Sequence, residues 1–366
     1  MITGIGQTTG EICKAYAEDL GCDLMEITAH AGARPSHAAW QGQIVSLSGK
    51  RGYLSLSDIG YGTGDGFKGW NCRHDWYPYF EGSTRMYTAK ELEELDARNV
   101  KFPDGSMHSR YEAEQYQRAY ERRIRESKRI LSGLDEGIKN AESDSVKAEM
   151  QREFDKQAVI LKRREAKMKD FLDKTGMLSD NARTQTLGFG RSTAQRARGS
   201  ANRHFKNWSS GYNIKNIKTL AEYYKIKYND IERYTLLKGC VRAVDNGDIS
   251  PLVGFDLYES KAKEITEKIV NVPNKGQFEI ESFTTHFIDR VIGQTSTSHE
   301  GMRLGATVEQ VIDTLNNPIK VTTPKIVNMK DRLDERINII GKSCSVIYSK
   351  TENKLIQATS FGEGIL

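Results

Sequence analysis

Four side chains near the start of the chain carry soft or borderline donor atoms: His30, His37, Cys72 and His74. If the loops that hold them meet, an imidazole and thiolate set of this kind can close a tetrahedral zinc site. Their spacing matches no standard finger, and the residues alone favour histidines hydrogen-bonded in a structural role, so no firm metal site is assigned. Arg34, Pro35, Trp40 and Gln41 surround the first pair, and Asn71, Arg73, Trp76 and Pro78 the second. Gly62, Gly64, Gly66 and Gly69 do not make a phosphate loop, because no Lys-Ser or Lys-Thr pair follows at the required place.

A second candidate lies near the other end. His286 and Arg290 are four residues apart, so one helix presents both on a single face. On the residues alone, the favoured reading is a helix histidine hydrogen-bonded at a core edge, with Arg290 paired to Asp289 or Glu281. His299 lies in the Ser/Thr-rich run TSTSHEG and reads as exposed, while His108 and His204 have no partner identifiable in the sequence.

The elements that must position these groups differ along the chain. Ile12, Ala15, Tyr16 and Leu20 suit a short amphipathic helix over Gly10 to Leu20, stopped by Gly21. Asp23 to Phe80 is rich in glycine and aromatic residues, which predicts a loop-rich unit with short strands. Ala89 to Phe171 reads as long charged helix with a thin apolar stripe, broken by Gly133 and Gly137 into two helices. Thr184 to Gly211 has the composition of a basic Gly/Ser linker. Ile217 to Lys238 and Tyr258 to Val270 read as helices around a turn at Asn246, Gly247 and Asp248.

The last ninety or so residues have the pattern of a small independent domain. Phe283, Phe287 and Val291 recur at helical spacing. Thr307 and Gln310 make a capping box ahead of the stripe Val308, Val311, Ile312 and Leu315. Extended segments follow near Ile319 to Val327, Cys344 to Tyr348 and Leu355 to Thr359, the last two joined by a hairpin at Lys350 to Asn353. Helices first and an antiparallel sheet afterwards is an α+β order.

Bulk properties bound the function. At 366 residues, two or three domains are expected. A hydrophobic content of 37%, a charged content of 28% and a mean hydropathy of -0.61 imply much solvated helix around patchy cores. The net charge of +5 is too mild to prove nucleic-acid binding. Between Asn181 and Ala221, however, no acidic residue accompanies Arg183, Arg191, Arg196, Arg198, Arg203, Lys206, Lys215 and Lys218. Five scattered cysteines without a CxxC pair argue against a disulfide framework. No apolar run approaches the roughly 20 residues of a membrane span, so a soluble chain made in the cytoplasm is expected.

EITAHAGARPSHAAWQG, from Glu26 to Gly42, and YGTGDGFKGWNCRHDWYPYFEG, from Tyr61 to Gly82, resemble the phage minor capsid protein 2 family, related to the minor head proteins of Mu-like phages. The resemblance covers about half the chain, up to the helical arm near Phe171. It implies a protein at or near the portal that enters the head with the genome. Thr3 to Glu11 resembles a point inside the usual domain, so the helical portal-binding region upstream is expected to be truncated or supplied by another polypeptide.

FTTHFIDRVIG, from Phe283 to Gly293, with VEQVIDTLNNP, from Val308 to Pro318, and the final hairpin, is similar to phage-borne nuclease toxins of the barnase, EndoU, colicin and RelE-like fold. That resemblance implies metal-free RNA cleavage, with His286 moving the proton and Arg290 and Arg303 holding phosphate oxygens. Thr359 or Gln357 would orient the scissile phosphate. The closing strand departs from the family, running into Thr359, Ser360 and Phe361 where Asn-Pro is usual.

Together these readings give an α+β multidomain chain: a loop-rich minor-head domain over 1–88, a charged helical arm over 89–180, a basic linker over 181–215, a helical connector over 216–273 and a nuclease-like toxin domain over 274–366. The expected function is a minor head protein carrying a polymorphic-toxin-type endoribonuclease that needs no cofactor. The alternative is a purely structural portal-proximal protein whose C-terminal domain only binds. Expected partners are portal or head proteins, an RNA substrate, an immunity protein and packaged DNA along the basic linker, with no membrane. The expected location is the virion head, after synthesis in the bacterial cytoplasm and before delivery to a host.

Overall fold

The computed structural model describes residues 2–293, 303–329 and 332–361. His299 lies outside the described residues. The chain divides into two compact units, Met1–Arg129 with Lys167–Leu187, and Ile130–Ala166 with Gly188–Leu366. It passes between them three times, twice within long helices and once between Leu187 and Gly188.

In the first unit, α1 (Ile2–Asp19) leads into a four-stranded sheet of order β3-β2-β1-β4. The strands are β1 (Leu24–Ile27), β2 (Ile44–Ser46), β3 (Leu54–Ser55) and β4 (Trp76–Pro78), and α2 (Pro35–Ala38) is a single turn between the first two. β1 pairs antiparallel with β2 and β4, and β2 pairs parallel with β3. All four residues of β1 are buried, including Glu26. Its carboxylate accepts hydrogen bonds from Arg85 Nε at 2.8 Å and from the Met86 amide, so the buried charge is paired. Met25, Ile27, Trp40, Val45, Phe67 and Trp76 make the core. The glycine run folds onto itself: a Cβ at Gly66 would overlap the Gly60 backbone, and one at Gly69 the Thr63 and Gly64 carbonyls.

The rest of this unit is helical apart from one hairpin. Thr88 and Glu91 form a capping box on α3 (Ala89–Asp96), and β5 (Val100–Lys101) pairs with β6 (Met107–His108). α4 (Arg110–Asn140) and α5 (Asp144–Thr175) follow. Phe102, Ala113, Phe171 and Met177 form a small core. His108 does have partners: it stacks on Phe102 with ring centroids 3.8 Å apart, and its Nδ1 lies 3.2 Å from Glu112.

The expected break at Gly133 and Gly137 does not occur. α4 runs through both glycines, and Gly137 lets the two helices approach, since a Cβ there would crowd the Met150 sulfur.

The second unit corrects two further expectations. The supposed linker contains the 21-residue α6 (Arg191–Gly211), with Thr193, Ala197, Ser200 and Ala201 buried. Those small residues, which read as loop by composition, form the buried side of the helix. Asp135 anchors the helix, accepting from Thr193 at 2.7 Å and pairing with Arg196. Burial pushes the Asp135 carboxyl up, but the Thr193 bond and the Arg196 and Lys139 charges outweigh it and leave the pKa lowered.

Next come α7 (Leu220–Asn229), α8 (Ile231–Asp245) and α9 (Gly254–Lys268), then β7 (Ser282–Phe283), α10 (Thr285–Ile292) and α11 (Val308–Asn316). The Thr307–Gln310 capping box is present. β8 (Lys320–Val321), β9 (Lys325–Met329), β10 (Arg332–Ile340), β11 (Cys344–Ser349) and β12 (Lys354–Ser360) complete a sheet of order β7-β12-β11-β10-β8, with β9 also on β10. Every pairing is antiparallel except β7 with β12. No separate core begins at Asn274: one cluster runs from Phe205 through Leu237, Tyr258, Phe287 and Val311 to Ala358. The helical connector and the sheet thus share a hydrophobic interior.

Candidate functional site

Two histidine clusters stand apart in the two units. In the first, the β1–β2 and β3–β4 connections of the N-terminal sheet converge. His30 follows β1, His37 sits in the α2 turn and is buried, and Cys72 and His74, also buried, lie on the approach to β4. The Nδ1 atoms of His37 and His74 point at the Cys72 sulfur from 3.9 and 3.6 Å. Their other ring nitrogens face oxygen acceptors: His37 Nε2 lies 2.8 Å from the Asp65 carbonyl, and His74 Nε2 lies 3.3 Å from Gln41 Oε1. Gln41 is itself fixed, accepting from the His30 amide and donating to Asp96.

The His30 ring stacks on His74 at 4.4 Å, and Trp40 walls the group at 4.4 Å from His37 and 4.9 Å from His74. Burial, with the neighbouring His30, His37, Arg34 and Lys68, holds the His74 imidazole down to about 3, and burial also lowers His37. Both rings are therefore neutral near neutral pH. A cavity of about 530 Å³ opens over the group and is also lined by Arg34, Arg73, Arg118 and Arg183.

The second cluster is on α10. Thr284 caps this helix, and Phe287, Ile288 and Val291 bury one side of it. His286 and Arg290 share the opposite, half-buried side. The Arg290 Nε donates to His286 Nε2 at 3.3 Å, while His286 Nδ1 lies 3.6 Å from the Asp289 carboxylate. Nε2 is thus the acceptor of the pair and Nδ1 faces the carboxylate. Asp289 is wholly buried; it accepts from Tyr258 Oη at 2.8 Å and from Arg242 at 3.3 Å. Burial and the Asp289 charge push the Tyr258 phenol far up, so it remains a donor. Asp289 therefore serves Tyr258, Arg242 and His286 rather than Arg290. Tyr258 and Arg242 carry no local motif that marks them in the sequence.

The other expected site residues lie elsewhere. Arg303 donates to the Asp248 carbonyl at 3.1 Å. Gln357 and Thr359 alternate with the buried Ala358, so they leave β12 on the face away from the core helices, where Gln357 Nε2 lies 3.4 Å from Thr359 Oγ1. His286 and Arg290 are thus together, and no described contact joins them to Gln357 or Thr359.

The first unit's short strands, tightly folded glycine loop and buried histidine cluster coincide with the segments that suggested a phage head protein. Residues 1–184 match the family described as phage minor capsid protein 2. That is half the chain, and the chain belongs to this family. It is 31% identical over 128 residues to a structural protein of Lactococcus phage LL-H, covering 33% of this chain and 32% of that protein. It is 40% identical over 77 residues to a structural protein of Lactococcus phage mv4, covering 21% of this chain and 53% of the relative. The chain thus spans about a third to a half of the length of these curated relatives. No solved structure matches. Among the described residues, no helix is long and apolar enough to cross a membrane.

Proposed function

We propose that the chain is built into the phage head beside portal or other head proteins, and that the α10 region of its second unit is a metal-independent endoribonuclease carried with the genome. One observation carries the enzymatic reading: a half-exposed imidazole with a buried carboxylate at Nδ1 and a guanidinium at Nε2. The carboxylate orients the ring and stabilises the imidazolium formed when Nε2 takes a proton. A phosphodiester entering beside α10 draws the Arg290 donor from the ring to its own oxygens.

His286 then takes the ribose 2′-hydroxyl proton and the 2′-oxygen attacks phosphorus. The bond to the 5′-oxygen breaks, and that oxygen leaves with a proton from solvent. The products are a 2′,3′-cyclic phosphate and a 5′-hydroxyl. Arg290 stabilises the charge that develops on the phosphorane. Such an activity calls for an immunity protein in the producing cell and for delivery into a host.

The basic segment belongs to the same reading as a DNA contact. Arg191, Arg198 and Lys206 are exposed and recur on one face of α6.

A second reading, a binding module without catalysis, is favoured by a different observation: Gln357 and Thr359, expected at the scissile phosphate, leave the sheet on the far face. The full chain and its His286→Ala variant, incubated with RNA in a chelator, distinguish the two. Cleavage by the wild type and its loss in a variant with an unchanged thermal transition support the enzyme. Equal cleavage by both, or none by the wild type at any pH, leaves the binding module.

A further inference from the structure

We propose that His37, Cys72 and His74 bind a zinc ion, that His30 closes the tetrahedron, and that the ion fastens the β1–β2 and β3–β4 connections of the N-terminal unit to one another. The inference stands whether or not the second unit cleaves RNA.

Lone-pair direction is the first support. The ligand atoms of His37, Cys72 and His74 all lie within 4.8 Å of one another. Both imidazoles turn Nδ1 toward the Cys72 sulfur and place Nε2 against an oxygen acceptor, the Asp65 carbonyl for one and Gln41 for the other. A histidine that ligates a metal characteristically donates its remaining N–H to a carbonyl or carboxylate, which fixes the tautomer and the ring plane. Two rings with this arrangement leave both Nδ1 lone pairs turned toward the same sulfur.

Distance is the second. With Zn–S near 2.3 Å and Zn–N near 2.0–2.1 Å, tetrahedral ligation sets sulfur and nitrogen about 3.5 Å apart. The two sulfur–nitrogen separations here are 3.6 and 3.9 Å, close to that value, and the ligand atoms of all three residues lie within 4.8 Å, so the ion draws the group together, the two ring nitrogens most of all.

His30 supplies an independent observation. Its Nδ1 lies 3.0 Å from the Ala31 carbonyl, while its Nε2 is buried and has no hydrogen-bond partner among the described residues. A buried ring nitrogen without a partner is costly, and a fourth ligand position beside His74 would satisfy it. His30 stands outside the close group of His37, Cys72 and His74, so closing the tetrahedron requires its ring to leave its stack on His74. Two imidazoles, a thiolate and a third imidazole form a borderline-to-soft set that suits Zn²⁺ and not Mg²⁺ or Ca²⁺.

The fold gives such an ion a task. The sheet has strands of only two to four residues, so little backbone pairing holds its long loops in place. Units of this kind are commonly stapled by metal, because ligation contributes folding free energy directly.

The test uses the full chain, stripped with chelator and reloaded with Zn²⁺ or Co²⁺. One zinc per chain is expected. The cobalt form should have the intense ligand-field bands of tetrahedral coordination together with a thiolate-to-cobalt charge-transfer band. Cys72→Ser should remove the charge-transfer band, and His30→Ala should retain that band while losing the tetrahedral intensity. Gln41→Ala, which removes the acceptor behind His74 together with the bonds to the His30 amide and Asp96 but no metal ligand, should weaken zinc binding roughly 10–100-fold. Should Cys72→Ser fail to fold, the wild-type cobalt spectrum and the Gln41→Ala affinity decide. No stoichiometric zinc after reloading, an octahedral cobalt spectrum without charge transfer, or undiminished zinc in a folded Cys72→Ser chain would overturn the proposal.

Discussion

The N-terminal and C-terminal histidine sites use the same side chain in opposite settings. Around Cys72 the rings are drawn inward, their Nδ1 atoms face a sulfur and their Nε2 atoms face oxygen, with only short strands behind them. On α10 the ring is half exposed, a buried carboxylate stands behind Nδ1, and the helix rests on the largest core in the molecule. The first arrangement collects lone pairs at a point and suits ligation. The second holds a polarised ring at the solvent edge and suits proton movement. Burial together with lone-pair direction, more than the presence of histidine, separates the two proposed chemistries.

The contrast can be broken most strongly at Arg290. Arg290→Ala should lower RNA cleavage about 10²–10³-fold, the usual loss on deleting one donor to developing negative charge. Quantitative cleavage assays on folded protein check this, and an unchanged rate would return Arg290 to a surface role. Metal removal should act only on the other site. Chelation should lower the melting temperature of the N-terminal unit, by roughly 2–4 °C for each kcal/mol of zinc stabilisation, and leave cleavage intact. A calorimetric scan in which neither transition moves would remove the contrast.

Tyr258→Phe probes the support behind His286. It deletes the hydroxyl that donates to Asp289 and, alternatively, to the Thr285 carbonyl, so it should cost about 1–3 kcal/mol in the unfolding of the second unit and also slow cleavage. Equal denaturation midpoints for variant and wild type would contradict that role.

Acid offers a smaller handle. Because the Asp135 pKa is lowered in the folded state, its stabilisation is present above the ordinary carboxylate range and is lost as pH falls through the folded value. Thr193→Val should flatten that acid-side loss, measured as unfolding free energy against pH, and parallel curves for the two proteins would contradict it. The smallest effect is expected on DNA: replacing Arg191, Arg198 and Lys206 by Gln should reduce the salt slope of binding by at most about 0.9 per residue. An unaltered slope would remove α6 from any DNA contact.

Local signals were legible wherever one element decides the outcome. The Thr307–Gln310 capping box, the α10 stripe and the final hairpin with Asn353 at positive φ follow from neighbours in sequence. β10 did not stand out, because Arg332, Glu335 and Arg336 interrupt the apolar alternation and Asp334 is buried on Ser349 and Arg336. α6 was read as linker because its small residues make sense only against Asp135 and Asp155, which lie far away in sequence.

The four N-terminal donors were visible as types. Their convergence was not, since it depends on a single-turn helix and a loop meeting beside one sheet. The sequence likewise offers Asp289 or Glu281 as the partner of Arg290, whereas the fold turns the Asp289 carboxylate inward to Tyr258, on a helix 31 residues earlier in the chain.

The division of labour is tested most directly by RNA cleavage with the zinc-stripped full chain in chelator, with the fragment ends identified. The account predicts 2′,3′-cyclic phosphate ends at the rate of the zinc-loaded protein. Intact RNA, or cleavage that appears only when metal is restored, would contradict it.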